Sequence, residues 1–559
     1  MGNLDWTLFG LYLTAIALVG AWNARASHST RAFFVADRSI PWWAVGLSVM
    51  ATQASAITFI GTTGKGYVDG MRFVQFYLGL PLALVILAFT LLPIYHRAGV
   101  FTAYELLGQR FDSKTRLLSS LVFLVQRSLS LGVVIYAPSI VLSMLLGWSL
   151  PATVGVMSAV AIVYTSVGGI RAVIWTDVVQ MVLIFAGMGL CFAIMLERLP
   201  AGSSLADALE LARLTGRTRV LDFSFDPSDR YTVWSGLIGG TLLFLSYFGC
   251  DQSQVQRFLA GRSLRDNRRA LLFNAIFKIP VQLFVLLLGV LLFAVFHFER
   301  PPLLFDAGVV TRLEASDQAP RYQELKEAHE EALALRQARV ETLWAGSSPE
   351  SEPEYLAAND ALSDIRSTAL SLARAVEPDY DDTNSIFPHF IINSLPAGLI
   401  GLLLAAIFAA AMSSIDSELN ALSTTTVVDV YRSHVRPDAT DRHYLRAARL
   451  FTLVWGALAA TFALYAARLG SVIEAVNIIG SYFYGSLLGV FILGFGTRRA
   501  NGHGAFFGLL AGMGAVALAD RLGGVAWLWL NPIGCGATLI AGLVISAATK
   551  RPRGSVGGK

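Results

Sequence analysis

One stretch of the chain places oxygen-bearing side chains inside an apolar run long enough to cross a membrane. It begins near residue 395 as an apolar segment and, without a turn signal, fills with hydroxyl and carboxylate groups before residue 431. A helix would place four of these residues, at positions i, i+3, i+4 and i+7, on one face: Ala410, Ser413, Ser414 and Ser417. Two further polar residues, Asp416 and Asn420, would lie beside that face.

Two interpretations fit the serines of this stretch. Small residues and hydroxyls also let two membrane helices approach closely, with the hydroxyls bonding to carbonyls of their own helix. That interpretation does not explain Asp416, because a carboxylate within a span costs roughly 2.5 to 3.5 kcal/mol and is normally kept for a cation, a proton or a partner charge. The stretch therefore predicts a cation site inside a membrane.

The composition is that of a polytopic membrane protein. Of 559 residues 55% are hydrophobic and 15% charged, and the mean hydropathy is +0.57. The net charge of +4 is mild and its basic residues fall in short loops, which indicates orientation in a membrane and no nucleic-acid partner. The three cysteines, Cys191, Cys250 and Cys535, form no pair motif, so neither a disulfide framework nor a zinc site is expected.

The elements that must position these groups are about thirteen predicted transmembrane helices. The first apolar run lacks a basic leader and a small-residue cleavage site, so we interpret it as a retained helix. The predicted spans are 5–22, 41–61, 73–95, 117–146, 150–167, 173–197, 233–257, 271–297, 396–426, 446–467, 471–495, 503–521 and 528–548.

The basic loops set the predicted orientation. With the amino terminus outside, one side of the membrane receives the basic clusters near residues 25–38, 96–116, 171, 262–269, 432–446 and 498–499 together with the tail. The positive-inside rule makes that side the cytoplasm, so we expect a multi-pass protein of the cell inner (plasma) membrane with a cytoplasmic carboxyl terminus. The largest opposite loop, 298–385, carries two helical patterns and predicts an exterior helical hairpin.

Two predicted spans are interrupted. Residues 48–66 and 246–254 bring polar residues and glycines to mid-membrane. Such breaks are tolerated only where the freed backbone lines a cavity, and a pair of them five helices apart is typical of transporters with inverted repeats. We therefore predict repeats at 41–197 and 233–495, the latter with the exterior insert 298–385. The first helix and its loop (1–40), an exterior loop (198–232) and the last two helices with the tail (496–559) lie outside them.

Four motifs, in order, resemble the sodium/solute symporter family, whose members carry sugars, proline, sialic acid, iodide and vitamins. They are SAITFIG at 55–61, GGIRAVIWTDVVQ at 168–180, DQSQVQRFLA at 251–260 and AAMSSIDSELNALST at 410–424. The resemblance covers nearly the whole chain apart from the insert. It implies an all-α, leucine-transporter-like core of two inverted five-helix repeats that works by alternating access, with sodium as the coupling ion and a small-molecule solute as the cargo.

The resemblance also implies cation ligands. A first sodium site would take backbone carbonyls from Ala51, Ala54 and Ala410 and hydroxyls from Ser413 and Ser414. Some relatives hold a second sodium with residues that match Asp177, Ser413, Asp416 and Ser417. Asp416 stands where relatives usually have a hydroxyl, so it would either strengthen that second site or carry a proton.

The solute cavity is expected between the two interrupted spans. Its predicted lining is Gln53, Ser55, Thr58, Phe73, Gln75, Tyr77, Phe248 and Asp251, with Arg127 and Lys278 as basic groups. At 1.5 Å per residue Arg127 lies ~15 Å from the start of its span, near the membrane midplane, and Lys278 ~12 Å. Ordinary helix packing, or a structural ion pair of Arg127 with Asp251 or Asp177, remains an alternative for these residues.

Two resemblances point to different solutes. Arg127, Ser55 and Thr58 resemble contacts of sialic acid carriers, whereas Lys278 resembles a lysine of sodium/galactose carriers, whose characteristic glutamate is here Tyr77. We expect sodium-coupled import of a small organic solute, with a carboxylate-bearing sugar such as sialic acid first and a neutral sugar or polyol second. A membrane solute sensor is a weaker alternative, since the chain ends soon after its last span, and no motif of a membrane enzyme is present.

Overall fold

A computed structural model describes residues 2–24, 29–53, 55–345, 350–378, 380–396, 398–466 and 472–549. The predicted sodium ligand Ala54 and the basic residues of the tail lie outside these ranges. Within the described residues the regular elements are helices, and a single isolated bridge joins Ile40 to Gly261.

The helices are numbered in chain order. The first nine are α1 (Asn3–Ala24), α2 (Thr30–Val35), α3 (Trp42–Gln53), α4 (Thr63–Asp69), α5 (Gly79–Phe89), α6 (Leu91–Ala98), α7 (Ala103–Arg110), α8 (Ser113–Leu146) and α9 (Leu150–Glu197). The next eight are α10 (Leu205–Leu214), α11 (Gly240–Gly249), α12 (Gln252–Ala260), α13 (Leu264–Val295), α14 (Ala307–Glu314), α15 (Ala319–Trp344), α16 (Ser351–Val376) and α17 (Thr383–Ser394).

The last five are α18 (Leu399–Thr425), α19 (Asp441–Ala463), α20 (Val472–Phe495), α21 (Gly502–Leu522) and α22 (Leu530–Ala548). Short π segments adjoin α4, α11 and α18 at Thr58–Thr62, Ser235–Gly239 and Thr426–Val435. Short 3₁₀ segments occupy Ala36–Arg38, Gly70–Tyr77 and Trp527–Trp529.

Nine helical stretches among the described residues are long and apolar enough to cross a membrane. They account for nine of the predicted spans. The other four predicted spans fall on α1, α3, the first part of α9 and α11, which are not among those nine. The predicted count of thirteen is therefore not confirmed, although the all-helical, multi-pass architecture is.

Both predicted interruptions are present. Helix α3 ends at Gln53, and Ser55 is outside any helix before the chain continues through a π segment into α4. Cys250 and Asp251 separate α11 from α12, and Asp251 caps the second helix by accepting from the Ser253 N–H at 2.9 Å. A third bend divides α9 at Gly169, whose φ of 60° and close approach to Phe33 both favour glycine.

Helix α18 is the centre of the fold. Every residue from Leu403 to Thr425 is buried, because α1, α3, α8, α9, α12 and α19 surround it. A helix buried on all sides within a membrane protein has little reason to carry carboxylates unless protein groups or ions meet them. Its polar side chains are therefore the ones that the neighbouring helices must satisfy.

The insert forms the predicted hairpin, made of α15 and α16. It is fastened to the end of α13, where the Arg336 guanidinium donates to the Phe296 carbonyl at 2.8 Å and the Tyr355 hydroxyl lies 3.0 Å from His297 Nε2. A guanidinium at a helix carboxyl terminus is favoured by the helix dipole and by the free carbonyls there. The hairpin thus caps the carboxyl-terminal end of α13.

Candidate functional site

The first predicted sodium region lies where α18 faces the break after α3. The Ser414 hydroxyl donates to the Thr52 carbonyl at 3.0 Å, and Ala51 and Ala410 are fully buried. The Ser413 hydroxyl instead donates to Asp177 Oδ1 at 2.5 Å. Interrupted backbone and a neighbouring hydroxyl are thus brought together, which is a set of hard oxygen atoms suited to a monovalent cation.

The second predicted cation region contains a residue that we did not predict there. The Arg257 guanidinium of α12 donates to Asp177 Oδ2 at 3.2 Å, to the Ser48 hydroxyl at 2.8 Å and to the Ser417 hydroxyl. Ser48 also donates to Asp177. Asp177 and Arg257 are both fully buried. The positive charge of Arg257 therefore lies where the second sodium ion was predicted.

Asp416 is not part of that network. It is fully buried, and neither carboxylate oxygen has a hydrogen-bond partner among the described residues. Ser413 and Ser417, by contrast, both contact the Asp177–Arg257 network. The sequence did contain a signal for Arg257, because it lies six residues after Asp251, in the motif that follows the second helix break.

A cavity of about 90 Å³ lies between the two interrupted helices. Sites for small-molecule ligands typically measure roughly 300 to 1,000 Å³, so a sugar-sized solute requires a more open arrangement of the same walls. The residues around it include the predicted Gln53, Ser55, Thr58, Tyr77 and Arg127, and also Thr52, Ile57, Phe76, Val134, Leu243, Phe244, Tyr247, Ser414, Glu418, Val476, Asn477 and Tyr484.

Five predicted lining residues are not at this cavity. The Gln75 side chain is hydrogen-bonded to the loop between α10 and α11. It donates to the Tyr231 carbonyl at 2.8 Å and accepts from the Asp222 N–H at 2.7 Å. Phe73 packs on Tyr231, with ring centroids 5.2 Å apart. Phe248 is buried against Phe244 and Tyr247, and Asp251 and Lys278 contact other protein groups.

Asp251 and Lys278 do not line the cavity, but each contacts a residue that does. Asp251 pairs with Arg127, as the structural alternative for that arginine anticipated. Lys278 Nζ donates to the Gln53 carbonyl at 3.2 Å and lies 5.6 Å from the centre of the Tyr77 ring. Helical periodicity and residue spacing predicted which helices meet at the cavity. They did not predict which side chains would instead contact the neighbouring loop or backbone carbonyls.

Arg127 has a second carboxylate partner that the sequence analysis missed. Its guanidinium donates to Glu418 Oε1 at 3.0 Å and to the Tyr484 hydroxyl at 2.9 Å, in addition to Asp251. Glu418 lies four residues after Ser414, so the same helical spacing that grouped the serines would have placed it at the cavity. Arg127 is therefore already paired with two acids before any solute binds.

Polar atoms without partners remain around the cavity. Among the described residues, Glu418 Oε2 and Gln53 Oε1 accept no hydrogen bond and Arg127 Nε donates none. Buried polar atoms in native proteins are nearly always paired, so three such atoms on cavity-lining residues mark groups that a bound molecule would satisfy.

A cluster of ion pairs joins α4, α20 and the loop between α10 and α11. Lys65 of α4 lies 3.1 Å from Glu474 of α20 and 3.2 Å from Asp69, while Arg230 of that loop lies 2.9 Å from Glu474. The Tyr231 hydroxyl donates to the same glutamate at 2.7 Å. These contacts connect the second part of the first interrupted helix to α20.

Comparisons with known proteins agree with this architecture. The family model described as "Sodium:solute symporter family" matches residues 33–323 and 365–512. The human sodium/iodide cotransporter is 29% identical over 528 residues, covering 93% of this chain and 70% of that protein. The sodium/sialic acid symporter SiaT of Proteus mirabilis is 25% identical over 548 residues, covering 96% of this chain and 93% of that one.

A solved structure of a Na⁺-coupled sialic acid symporter in a substrate-bound outward-open state is also similar. It superposes with a TM-score of 0.77 at 24% identity and covers 98% of both chains. This likeness shows the fold, a leucine-transporter-like core. The gap between the two matched ranges, residues 324–364, falls on the hairpin of α15 and α16.

Proposed function

The chain belongs to the sodium:solute symporter family, and from that premise we propose that its solute is a small carboxylate-bearing molecule of the acidic-sugar class. It is a sodium-coupled membrane symporter and not an enzyme. The observation that carries the proposal is Arg127, a guanidinium on the wall of the central cavity with its Nε donor still unpaired. Guanidinium groups suit the capture of carboxylates, particularly where water is partly excluded.

The proposed coupling site is the region of Ala51, Ala54, Ala410, Ser413 and Ser414. Its support is the Ser414 hydroxyl, which meets the Thr52 carbonyl at the helix break and also lines the solute cavity. A cation bound there would add positive charge beside the solute. Sodium and an anionic solute would then favour each other's binding, which is the thermodynamic requirement for symport.

Asp177, Ser413, Asp416 and Ser417 are proposed as a second, latent cation site. In this conformation Arg257 provides the positive charge that Asp177 requires. A second sodium would therefore bind only after Arg257 moves away. The proposed orientation, with an exterior amino terminus in the inner (plasma) membrane, follows from the basic loops.

A neutral sugar or polyol is the second candidate solute. It is favoured by the two carboxylates already on Arg127, which leave that residue no unmet charge. The similarity to the sodium/sialic acid symporter SiaT supports the acidic alternative, since sialic acid carries a carboxylate.

The deciding experiment is uptake into proteoliposomes under an inward sodium gradient. Sialic and hexuronic acids are compared with glucose, galactose and inositol, for the wild type, Arg127→Gln and the charge-conserving Arg127→Lys. We expect sodium-dependent uptake of the acids, abolished by Gln and weakened by Lys, with potassium as the ionic control. Neutral sugars carried equally by wild type and Arg127→Gln would refute the proposal.

A further inference from the structure

Two residues that line the solute cavity each have a buried acceptor atom without a hydrogen-bond partner. Glu418 Oε1 accepts from Arg127 at 3.0 Å, but Oε2 of the same carboxylate has no partner among the described residues, although the side chain is only 5% exposed. Gln53 lines the same cavity, and its Oε1 is also unpaired. Both atoms are acceptors, so a neutral or anionic solute can satisfy them only through an N–H or O–H group.

The charge around Arg127 leads to the same requirement. One guanidinium is shared by two carboxylates, Asp251 and Glu418, which leaves one negative charge in excess at the cavity wall. Two other buried cations of the helix core are engaged elsewhere: Arg257 pairs with Asp177, and Lys278 donates to the backbone carbonyl of Gln53. An anion that brings no donors would meet Glu418 as a like charge, and electrostatic repulsion is strong where water is excluded.

We infer that the solute presents hydrogen-bond donors to Glu418 Oε2 and Gln53 Oε1, and that Glu418 is a specificity-determining residue that rejects anions without donors. The solute class is a hydroxyl- or amide-bearing molecule, whether or not it also carries a carboxylate. The inference rests on the proposed function, since it concerns the same cavity. It excludes halides and short unsubstituted carboxylates, although two similar proteins are named a sodium/iodide cotransporter and a sodium-coupled monocarboxylate transporter.

The expected discrimination is large. A site built around buried polar groups rejects an analogue that leaves them unpaired by factors of roughly 10⁴ to 10⁵, whereas one methylene is worth only about 10 to 200-fold. Even with some water admitted to the cavity, donor-free anions should be carried at least roughly 100-fold less efficiently than donor-bearing solutes.

The test is a panel of radiolabelled uptake measurements in proteoliposomes under a sodium gradient. The probes are N-acetylneuraminate, glucuronate, myo-inositol, propionate and iodide. The variants are wild type, Glu418→Gln, which is isosteric and uncharged, Glu418→Asp, and Ser423→Ala as a matched control. Ser423 is a buried hydroxyl on the same helix that donates to the Ala448 carbonyl, away from the cavity.

We expect the wild type and Ser423→Ala to carry at least one donor-bearing probe and neither propionate nor iodide. Glu418→Gln should lower the ratio of donor-bearing to donor-free solute uptake by at least tenfold. Glu418→Asp keeps the charge and should keep part of that ratio. Wild-type transport of propionate or iodide overturns the inference, and so does a preference unchanged by Glu418→Gln. Should Glu418→Gln fail to fold, the wild-type panel still decides. Absence of sodium-driven uptake of every probe refutes the proposed function, and the inference falls with it.

Discussion

Two buried arginines of this transporter, Arg127 and Arg257, contact the same central helix in different ways. Arg127 contacts Glu418 of α18 and Asp251, so two acids share one guanidinium at the edge of a cavity. Arg257 contacts Ser417 of α18 and pairs with Asp177, with hydroxyls around the pair. Among the described residues Glu418 has one oxygen without a hydrogen-bond partner, whereas both carboxylate oxygens of Asp177 accept hydrogen bonds.

Helical spacing explains why both clusters reach α18 within a few residues. Ser414 and Glu418 are four apart and both line the cavity, while Ser413 and Ser417 are four apart and both contact the Asp177–Arg257 network. Two adjacent stripes of one helix therefore serve two purposes. One stripe lies at the cavity and the proposed first sodium site, and the other contacts the Arg257 guanidinium, a cation that the protein supplies.

The largest effect should follow from Arg257→Gln. Removing one partner of a buried ion pair typically costs about 3 to 5 kcal/mol, because the remaining charge is left uncompensated. We expect a marked loss of thermal stability in potassium, with sodium restoring much of it by occupying the vacated region near Asp177. Thermal unfolding of purified protein in sodium and in potassium measures this.

The matched control for that variant is the double substitution Asp177→Asn/Arg257→Gln. It removes both charges, so we expect it to be more stable in potassium than Arg257→Gln and less responsive to sodium. Equal stability of Arg257→Gln and wild type in potassium would contradict the idea that Arg257 stands in for a cation.

The sequence predicts part of this comparison. The interrupted helices, the serines of α18 and the position of Arg127 at the central cavity follow from periodicity and polarity within apolar runs, and the structure brings these elements together. Glu418 was accessible by the same four-residue spacing. Arg257 was not recognised, because pairing between α12, α3 and α9 depends on how three distant segments cross. Gln75 was misplaced for a similar reason, since a loop carbonyl and N–H capture its amide.

A smaller effect is expected at the uncharged stripe. Ser414→Ala removes a hydroxyl from the proposed first sodium site without leaving a charge behind, so the loss should be about 1.4 kcal/mol, or tenfold in sodium affinity. Sodium titration of solute uptake gives this value, and Ser423→Ala should leave it unchanged. Sodium affinity in Ser414→Ala equal to that of wild type would remove Ser414 from the site.

The number of sodium ions transported per solute tests whether the stripe that contacts Arg257 can bind a cation. With Arg257 in place, the reversal potential of transport in proteoliposomes should give one sodium ion per solute. If enough Arg257→Gln folds in sodium, its ratio should rise to two, since Asp177, Ser413 and Ser417 become free to bind. A wild-type ratio of two would show that Arg257 leaves Asp177 during the cycle, and neutralising Asp177 should then lower it to one.

The smallest effect concerns a further buried basic group, outside the candidate membrane spans, that the described part of the chain leaves without an acid partner. Burial of His329 on α15, with the nearby positive charges of Arg366 and Arg336, lowers its pKa from 6.5 to about 4, so it is neutral at pH 7. Arg366 is paired with Asp382 at 2.7 Å, whereas His329 has no such partner among the described residues. Arg127 and Arg257 are each paired with a carboxylate, whereas His329 is buried as a neutral ring.

The sign of the pH dependence follows from that lowered pKa. Below pH 6.5 the unfolded hairpin takes up a proton that the folded one refuses, so the contribution to stability is complete above pH 6.5 and declines as the pH falls toward about 4. Hydrogen exchange of α15, corrected for intrinsic rates between pH 7.5 and 5, should therefore show loosening on acidification. His329→Gln should flatten that dependence, while His503→Gln on α21 should leave it intact. Protection of α15 that is independent of pH in the wild type would mean that a negative charge reaches His329 after all, and that the contrast with the two arginines is one of degree.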